Sequence, residues 1–267
     1  MSQTYPHPVF SDEFAGKRVL VTGGTKGIGE AIVERFRIAG ALVATTARAA
    51  PAHPKNGVLF VKADIGMLEG VRDIDAAIRG EWGGLDILIN NVGATDTKPG
   101  GFEILTDDDW QNILNVNLLG AVRLDRAFLP GMLARKAGTI IHIGSVAHLL
   151  PFSNSTLAYA AAKAALRTYS KGLSKAAAPQ GVRINMISPG FIETSGAHGM
   201  IQDIARNQNI PEDAARQVIM DMLGGIPLGR AGKPDEVAEL TAFLASERGA
   251  FCNGVDYILD GGTIPTA

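Results

Sequence analysis

The sequence is poor in cysteine, in net charge and in long apolar runs. Its 267 residues include one cysteine, Cys252, which excludes an internal disulfide framework and fits a reducing compartment. The 25 Lys and Arg nearly cancel the 27 Asp and Glu, leaving a net charge of −2. A duplex nucleic-acid binder usually shows a strong basic excess, so no nucleic-acid partner is expected. No apolar run approaches the ~18 residues that span a bilayer. The stretch from Met1 to Lys17 has no basic segment leading into an apolar one, so neither a membrane association nor a secretory signal is expected. The five histidines and the cysteine show no metal-ligand spacing, and no metal is expected.

What is present is apolar and ordered. Hydrophobic residues make up 46% of the chain, enough for one sizeable core, and 32 glycines indicate many tight turns. These features predict a soluble cytoplasmic protein. Short apolar, β-branched runs at Arg18–Thr22, Leu42–Thr46, Val58–Lys62, Ile87–Asn90, Thr139–Ile143, Arg183–Ile187 and Asp256–Leu259 read as seven strands. Helical periodicity predicts helices over Ile28–Ala39, Glu69–Arg79, Asp107–Arg135, Leu157–Ala178 and Asp235–Ala245. Fully apolar strands alternating with helices suit an α/β fold: a single-domain doubly wound Rossmann sheet of seven parallel strands, covered on both faces. Arg48–Gly57, with two prolines and no periodicity, reads as a loop. Met1–Ala15 is expected to be a loosely held tail before a domain over residues 16–267, and Ser195–Gly225 a mobile helical lid over the substrate.

In such a sheet, ligands bind beyond the carboxyl ends of the strands. Thr22-Gly23-Gly24-Thr25-Lys26-Gly27-Ile28-Gly29 occupies that position after the first strand. A pyrophosphate needs backbone amides at close range, and glycine lets it approach them. Gly23 permits the exit turn, Gly27 the approach and Gly29 the packing of helix on strand. About 20 positions on, a carboxylate would hold the ribose diol of NAD. The second strand instead runs into Thr45-Thr46-Ala47-Arg48, where Arg48 offers a planar fork to a 2′-phosphate and Lys26 adds a second positive charge. Missing acid and present base favour NADP(H) over NAD(H).

Tyr159 and Lys163 lie four apart in an Ala-rich helical segment and so share one face. A free phenol has a pKa of ~10. An ammonium ~6 Å away, at an effective dielectric of about 20, would lower that by about two units and make the phenol a usable acid or base. Ser145, just past a strand, is placed to hold a carbonyl oxygen beside the phenol, or to cap a turn. Asn117, inside Asp107–Arg135, either bends that helix or positions water. Asn90-Asn91-Val92-Gly93 and Ser188-Pro189-Gly190 follow two further strands. His148 and Phe191 are candidates for touching substrate, and the apolar residues around them suggest a partly hydrophobic one. His142, in a buried strand, reads as packing. Met200, Met220 and Met222 read as the apolar face of the lid.

Taken together, these residues resemble the short-chain dehydrogenase/reductase family over nearly the whole chain. Thr22–Gly29 is similar to its Thr-Gly-x-x-x-Gly-x-Gly loop. Asn90–Gly93 is similar to its Asn-Asn-Ala-Gly motif, with Val92 for alanine, and Asp64-Ile65 to the pair that meets the adenine. Ser188-Pro189-Gly190, with Ile192 and Thr194, is similar to the nicotinamide-side turn, and Asp260-Gly261-Gly262 to the C-terminal signature. The resemblance implies a catalytic set of Asn117, Ser145, Tyr159 and Lys163. Lys163 would bind the nicotinamide ribose and depress the pKa of Tyr159, Ser145 would hold the substrate oxygen, and Asn117 would link Lys163 to a water relay. It also implies hydride exchange between the nicotinamide and a small carbonyl or alcohol substrate, with Tyr159 moving the proton, and a homo-oligomer, commonly a tetramer. The alternatives are an NAD-dependent alcohol dehydrogenase of the same fold and a non-catalytic dinucleotide-binding regulator. Two departures bear on the pocket. Tyr159 follows Ser145 by one position more than the family pattern, the extra residue falling in the loop His148–Leu157. The Arg48–Gly57 link lacks the helix many relatives have.

Overall fold

The computed structural model describes residues 5–94, 101–152 and 156–265. Seven parallel strands form one sheet: β1 (Arg18–Thr22), β2 (Leu42–Ala47), β3 (Val58–Lys62), β4 (Ile87–Asn90), β5 (Gly138–Ile143), β6 (Val182–Pro189) and β7 (Asp256–Leu259). Their spatial order is β3-β2-β1-β4-β5-β6-β7. The helices are α1 (Gly27–Ile38), α2 (Leu68–Trp82), α3 (Asp107–Leu114), α4 (Gly120–Arg135), α5 (Leu157–Ala177), α6 (Ser195–Gln208), α7 (Glu212–Met222) and α8 (Pro234–Ala245). The order reverses between β1 and β4, so the carboxyl ends of those strands open the crevice where a doubly wound sheet takes its ligand.

The strands are buried on both faces because alternate side chains enter two separate cores. Val19, Val21, Val43, Ile87, Ile89, Ile141 and Ile187 pack with Ile32 and Phe36 of α1 and Val237 and Ala242 of α8. Leu20, Ala44, Leu88, Ile140 and Ile184 pack with Ile74 and Ile78 of α2 and Leu124 and Phe128 of α4. The expected Rossmann architecture is therefore present, with the seven strands where the apolar runs lie. Arg48–Gly57 contains no helix, as its prolines imply.

Two expectations need correction. Over its described residues the Met1–Ala15 stretch is not loosely held. Phe14 is 2% exposed, with its ring centre 4.6 Å from that of Phe36. Glu13 pairs with buried Arg35 at 2.6 Å, and Arg35 also meets Glu239 of α8 at 2.7 Å. A charged anchor and an aromatic one thus tie the segment to α1 and α8. The helix expected over Asp107–Arg135 is divided by a π-helical turn at Asn115–Leu119, for a reason given below. Ser195–Gly225, expected as a helical lid, is helical: α6 and α7 pack on each other through Ile201, Ala215 and Ile219. Among the described residues no helix is long and apolar enough to cross a membrane.

Candidate active site

The loop after β1 is drawn tight by its own side chains. The Thr22 hydroxyl accepts from the amides of Asn91 at 2.9 Å and Val92 at 3.1 Å. Asn91 Nδ2 donates back to the Thr22 carbonyl at 2.8 Å, so the ends of β1 and β4 are stitched together across the crevice. A Cβ on Gly29 would stand 2.3 Å from the Gly23 carbonyl oxygen, which is why that position takes no side chain. Gly27 has φ +58°, and a Cβ there would come 3.3 Å from Thr194, so the glycine loop and the turn after β6 border one another. Thr194 caps α6 by accepting from the Ala197 amide at 3.2 Å. By contrast, Lys26 at the start of α1 makes no side-chain cap bond. First-turn amides left open beside a glycine cradle suit the pyrophosphate of a dinucleotide.

Other expected cofactor residues take varied positions. Thr25 and Gly24 line a groove with Thr45, Pro51, His53, Lys55 and Phe60. Arg48, just after β2, and Lys26, in the glycine loop, are exposed, and neither has an ion pair among the described residues. Asp64 Oδ1 accepts from the Gly66 amide at 2.8 Å. The Ile65 side chain is buried against α4, so only its backbone is offered toward a ligand. Val92 and Ile192 also turn their side chains into the two cores. Gly190 lies too close to Asp260 for a Cβ, at 2.7 Å. Pro189 ends β6.

The four candidate catalytic residues converge at the ends of β4 and β5. A Cβ on Gly93 would lie 3.2 Å from both Asn117 Oδ1 and Lys163 Nζ, so Gly93 is the space that lets these two approach. Asn117 Nδ2 donates to the carbonyls of Ile113 and Ala94, each at 3.0 Å. Its Oδ1 accepts from the Ala94 amide at 3.1 Å. One side chain thereby satisfies a backbone carbonyl of α3 just before the π turn and fastens the β4 loop to it. Periodicity cannot register such a break, because the interruption is a local exchange of hydrogen bonds. Lys163, 2% exposed, donates to the Ile143 carbonyl at 2.9 Å. Its ammonium is 5.6 Å from the centre of the Tyr159 ring. The Ser145 side chain acts on the Tyr159 hydroxyl in the direction that lowers its pKa.

The electrostatics differ from the expectation in sign. Burial pushes the Tyr159 phenol above its ordinary value, and the Ser145 side chain only partly opposes it. The same burial lowers Lys163 to about 8. Desolvation outweighs the attraction expected from a cation on the same helix face, because both groups are enclosed by protein. In the chain alone, Tyr159 is therefore a protonated phenol.

Of the two candidates for substrate contact, His148 is turned into the protein and Phe191 lies beside α6 and α7. The His148 side chain is 2% exposed and lies 3.2 Å from the Asp256 carboxylate. Phe191 packs on the base of α6 and α7 with Ile204 and Leu223. The loop His148–Leu157 is described only in part, since residues 153–155 lie outside the described residues. His142, read as packing, is instead part of a buried polar cluster. Its Nε2 meets Asp125 Oδ2 at 3.0 Å and its Nδ1 meets Ser170 at 3.0 Å, while Asn90 Nδ2 donates to Asp125 Oδ1 at 2.8 Å. Sequence reasoning also missed the Ile143 carbonyl as the anchor of Lys163, which leaves no trace in residue identity.

The fold and this residue set define an oxidoreductase that works with a nicotinamide dinucleotide. A family model described as enoyl-(acyl carrier protein) reductase matches residues 23–263. The chain is 34% identical to the 3-oxoacyl-(acyl-carrier-protein) reductase FabG of Vibrio harveyi, over 92% of this chain and 97% of that one. It is 35% identical to the oxidoreductase UcpA of Escherichia coli O157:H7, over 95% and 97%. Its fold is similar to L-sorbose reductase of Gluconobacter frateurii, solved with NADPH and L-sorbose, with a TM-score of 0.87 and 30% identity over 96% of this chain and 100% of that one. It is also similar to aldohexose dehydrogenase of Thermoplasma acidophilum, with a TM-score of 0.84 and 29% identity over 97% of each chain. The protein belongs to the short-chain dehydrogenase/reductase family.

Proposed function

We propose that this protein is an NADP(H)-dependent reductase of small, partly hydrophobic carbonyl compounds, with Tyr159 as the general acid. The observation that carries the reading is the Lys163 ammonium 5.6 Å from the Tyr159 ring, with Asn117 Oδ1 and Lys163 Nζ brought together across Gly93. Gly23, Gly27 and the open amides of α1 would hold the pyrophosphate, Arg48 and Lys26 the 2′-phosphate, and Asp64 and Ile65 the adenine side. Asn91, Val92, Gly93, Pro189, Gly190, Ile192 and Thr194 would border the nicotinamide half. A bound nicotinamide supplies or accepts the hydride.

The chain's own residues then handle oxygen and proton. Ser145 Oγ donates to the substrate oxygen and fixes it beside Tyr159. A phenol that burial keeps protonated gives up its proton at that oxygen as negative charge develops there, which favours the reducing direction. Lys163 has two N–H groups left after its bond to Ile143, available to the ribose hydroxyls, and Asn117 orders the backbone from which a water relay would start. Residues 195–225 would close over the substrate, and the subunits would assemble as a homotetramer. Sorbose and 3-oxoacyl relatives both reduce a carbonyl by name, which supports the reading without fixing the substrate. The test is NADPH oxidation followed at 340 nm with a panel that includes an acetoacetyl thioester and L-sorbose. Turnover on some carbonyl is expected. Dinucleotide binding with no turnover on any of them would favour a regulator instead.

A further inference from the structure

Just past Ser145, the structure contains a buried polar assembly that the reaction above does not use. Ser145 leaves β5 in extended backbone and is followed by a single helical turn, Val146–His148. Its carbonyl oxygen accepts from the His148 amide at a long 3.3 Å and lies 2.5 Å from His148 Nδ1. The imidazole is therefore the closer of the two groups fixing that carbonyl. On its other side, Nε2 stands 3.2 Å from Asp256 Oδ2, a close contact without hydrogen-bond alignment.

Asp256 is itself held from two more elements. Its Oδ1 accepts from the Ser188 hydroxyl of β6 at 2.7 Å, and its Oδ2 from Arg167 Nε of α5 at 3.0 Å. Burial pushes the Asp256 carboxyl up, but the contacts of His148, Ser188 and Arg167 overcome it and leave the group below the usual carboxylate range. Arg167 is one helical turn beyond Lys163, which is one turn beyond Tyr159, so all three share a face of α5. The imidazole thus links the backbone of Ser145 to β6, β7 and the helix that carries the other catalytic side chains. A ring squeezed between a carbonyl and an anchored carboxylate cannot shift without moving one of them.

We propose that His148 is a positioning residue: clamped by Asp256, it fixes the Ser145 backbone and hence the place at which the Ser145 hydroxyl meets Tyr159 and the substrate oxygen. The proposal rests on the carbonyl-reductase reading, and it turns a side chain expected at the substrate into one acting from behind Ser145. Displacements of about 1 Å in such a group cost on the order of 100-fold in rate, so the effect belongs in kcat.

The experiment is a set of variants assayed with NADPH and whichever carbonyl the wild type turns over. His148→Ala should lower kcat about 10- to 100-fold while leaving KM for NADPH unchanged. His148→Asn places an amide donor near the Nδ1 position and should recover most of the loss. His148→Gln reaches toward the Nε2 position and should not. If His148→Ala fails to fold, the contrast between Asn and Gln still decides. Equal, near wild-type kcat in every folded variant, with only the melting temperature reduced, would overturn the proposal and leave His148 a stability residue. A wild type inactive on the whole panel would overturn the reductase reading itself, before any variant is compared.

Discussion

The ammonium of Lys163 is 5.6 Å from the centre of the Tyr159 ring, yet burial leaves the phenol above its ordinary pKa. Proximity of a cation is thus not enough to ionise this tyrosine. For reduction that is an advantage, since a proton donor must arrive protonated. Removing the hydroxyl removes the donor and little else. Tyr159→Phe should lower kcat by about 10²- to 10⁴-fold while NADPH still quenches intrinsic fluorescence with a wild-type Kd. Normal turnover by the variant would end the proton-donor role.

Lys163 supplies a pH prediction. Its folded value of about 8 lies below the ~10.4 of an unfolded lysine. Between those two values the unfolded chain binds a proton that the folded chain does not, so stability rises with pH across that window. Below about 8 both states are protonated and the cost of burying the charge is borne in full. Lys163→Met removes a buried ammonium of this kind. Its denaturation midpoint should exceed that of the wild type at pH 7, and the gap should shrink as the pH approaches 10. A gap that widens over this range would show that the ammonium is better accommodated by Ile143 than its burial suggests.

Much of the fold could be read from residue order, and the exceptions share a cause. Seven buried strands appear as β-branched apolar runs because a parallel sheet covered on both faces gives each strand no solvent side. The glycine loop was legible because close backbone approach permits one residue type. Phe14 and His148 were misread because their partners, Phe36 and Asp256, are distant in the sequence. A docked segment and a loose tail have the same local composition. The π turn could be read only as a bend at Asn117, because Asn117 bonds the Ile113 carbonyl without disturbing the spacing of apolar residues around it.

Phe14 also gives a stability prediction. Its ring is 2% exposed and packs against Phe36 of α1 in the core shared with α8. Phe14→Ala should cost about 3–5 kcal/mol in chemical denaturation. A loss below 1 kcal/mol would show that the segment over residues 5–15 is as loosely held as its composition suggested.

Arg48 bears on cofactor choice. It is exposed just after β2 and makes no ion pair among the described residues, so no internal partner must be given up for it to meet a phosphate. A 2′-phosphate would gain a charge-assisted, two-pronged bond there. The adenosine of NAD, ending in hydroxyls, would gain much less. Arg48→Ala should therefore raise KM for NADPH about tenfold, equivalent to roughly 1.4 kcal/mol, and change KM for NADH by less than about twofold. Lys26 is likewise exposed, and Lys26→Ala should act in the same direction with a smaller effect, because an ammonium offers a point charge where the guanidinium offers a fork. Equal losses with both cofactors would move Arg48 to the shared pyrophosphate, and no loss with either would remove it from the site.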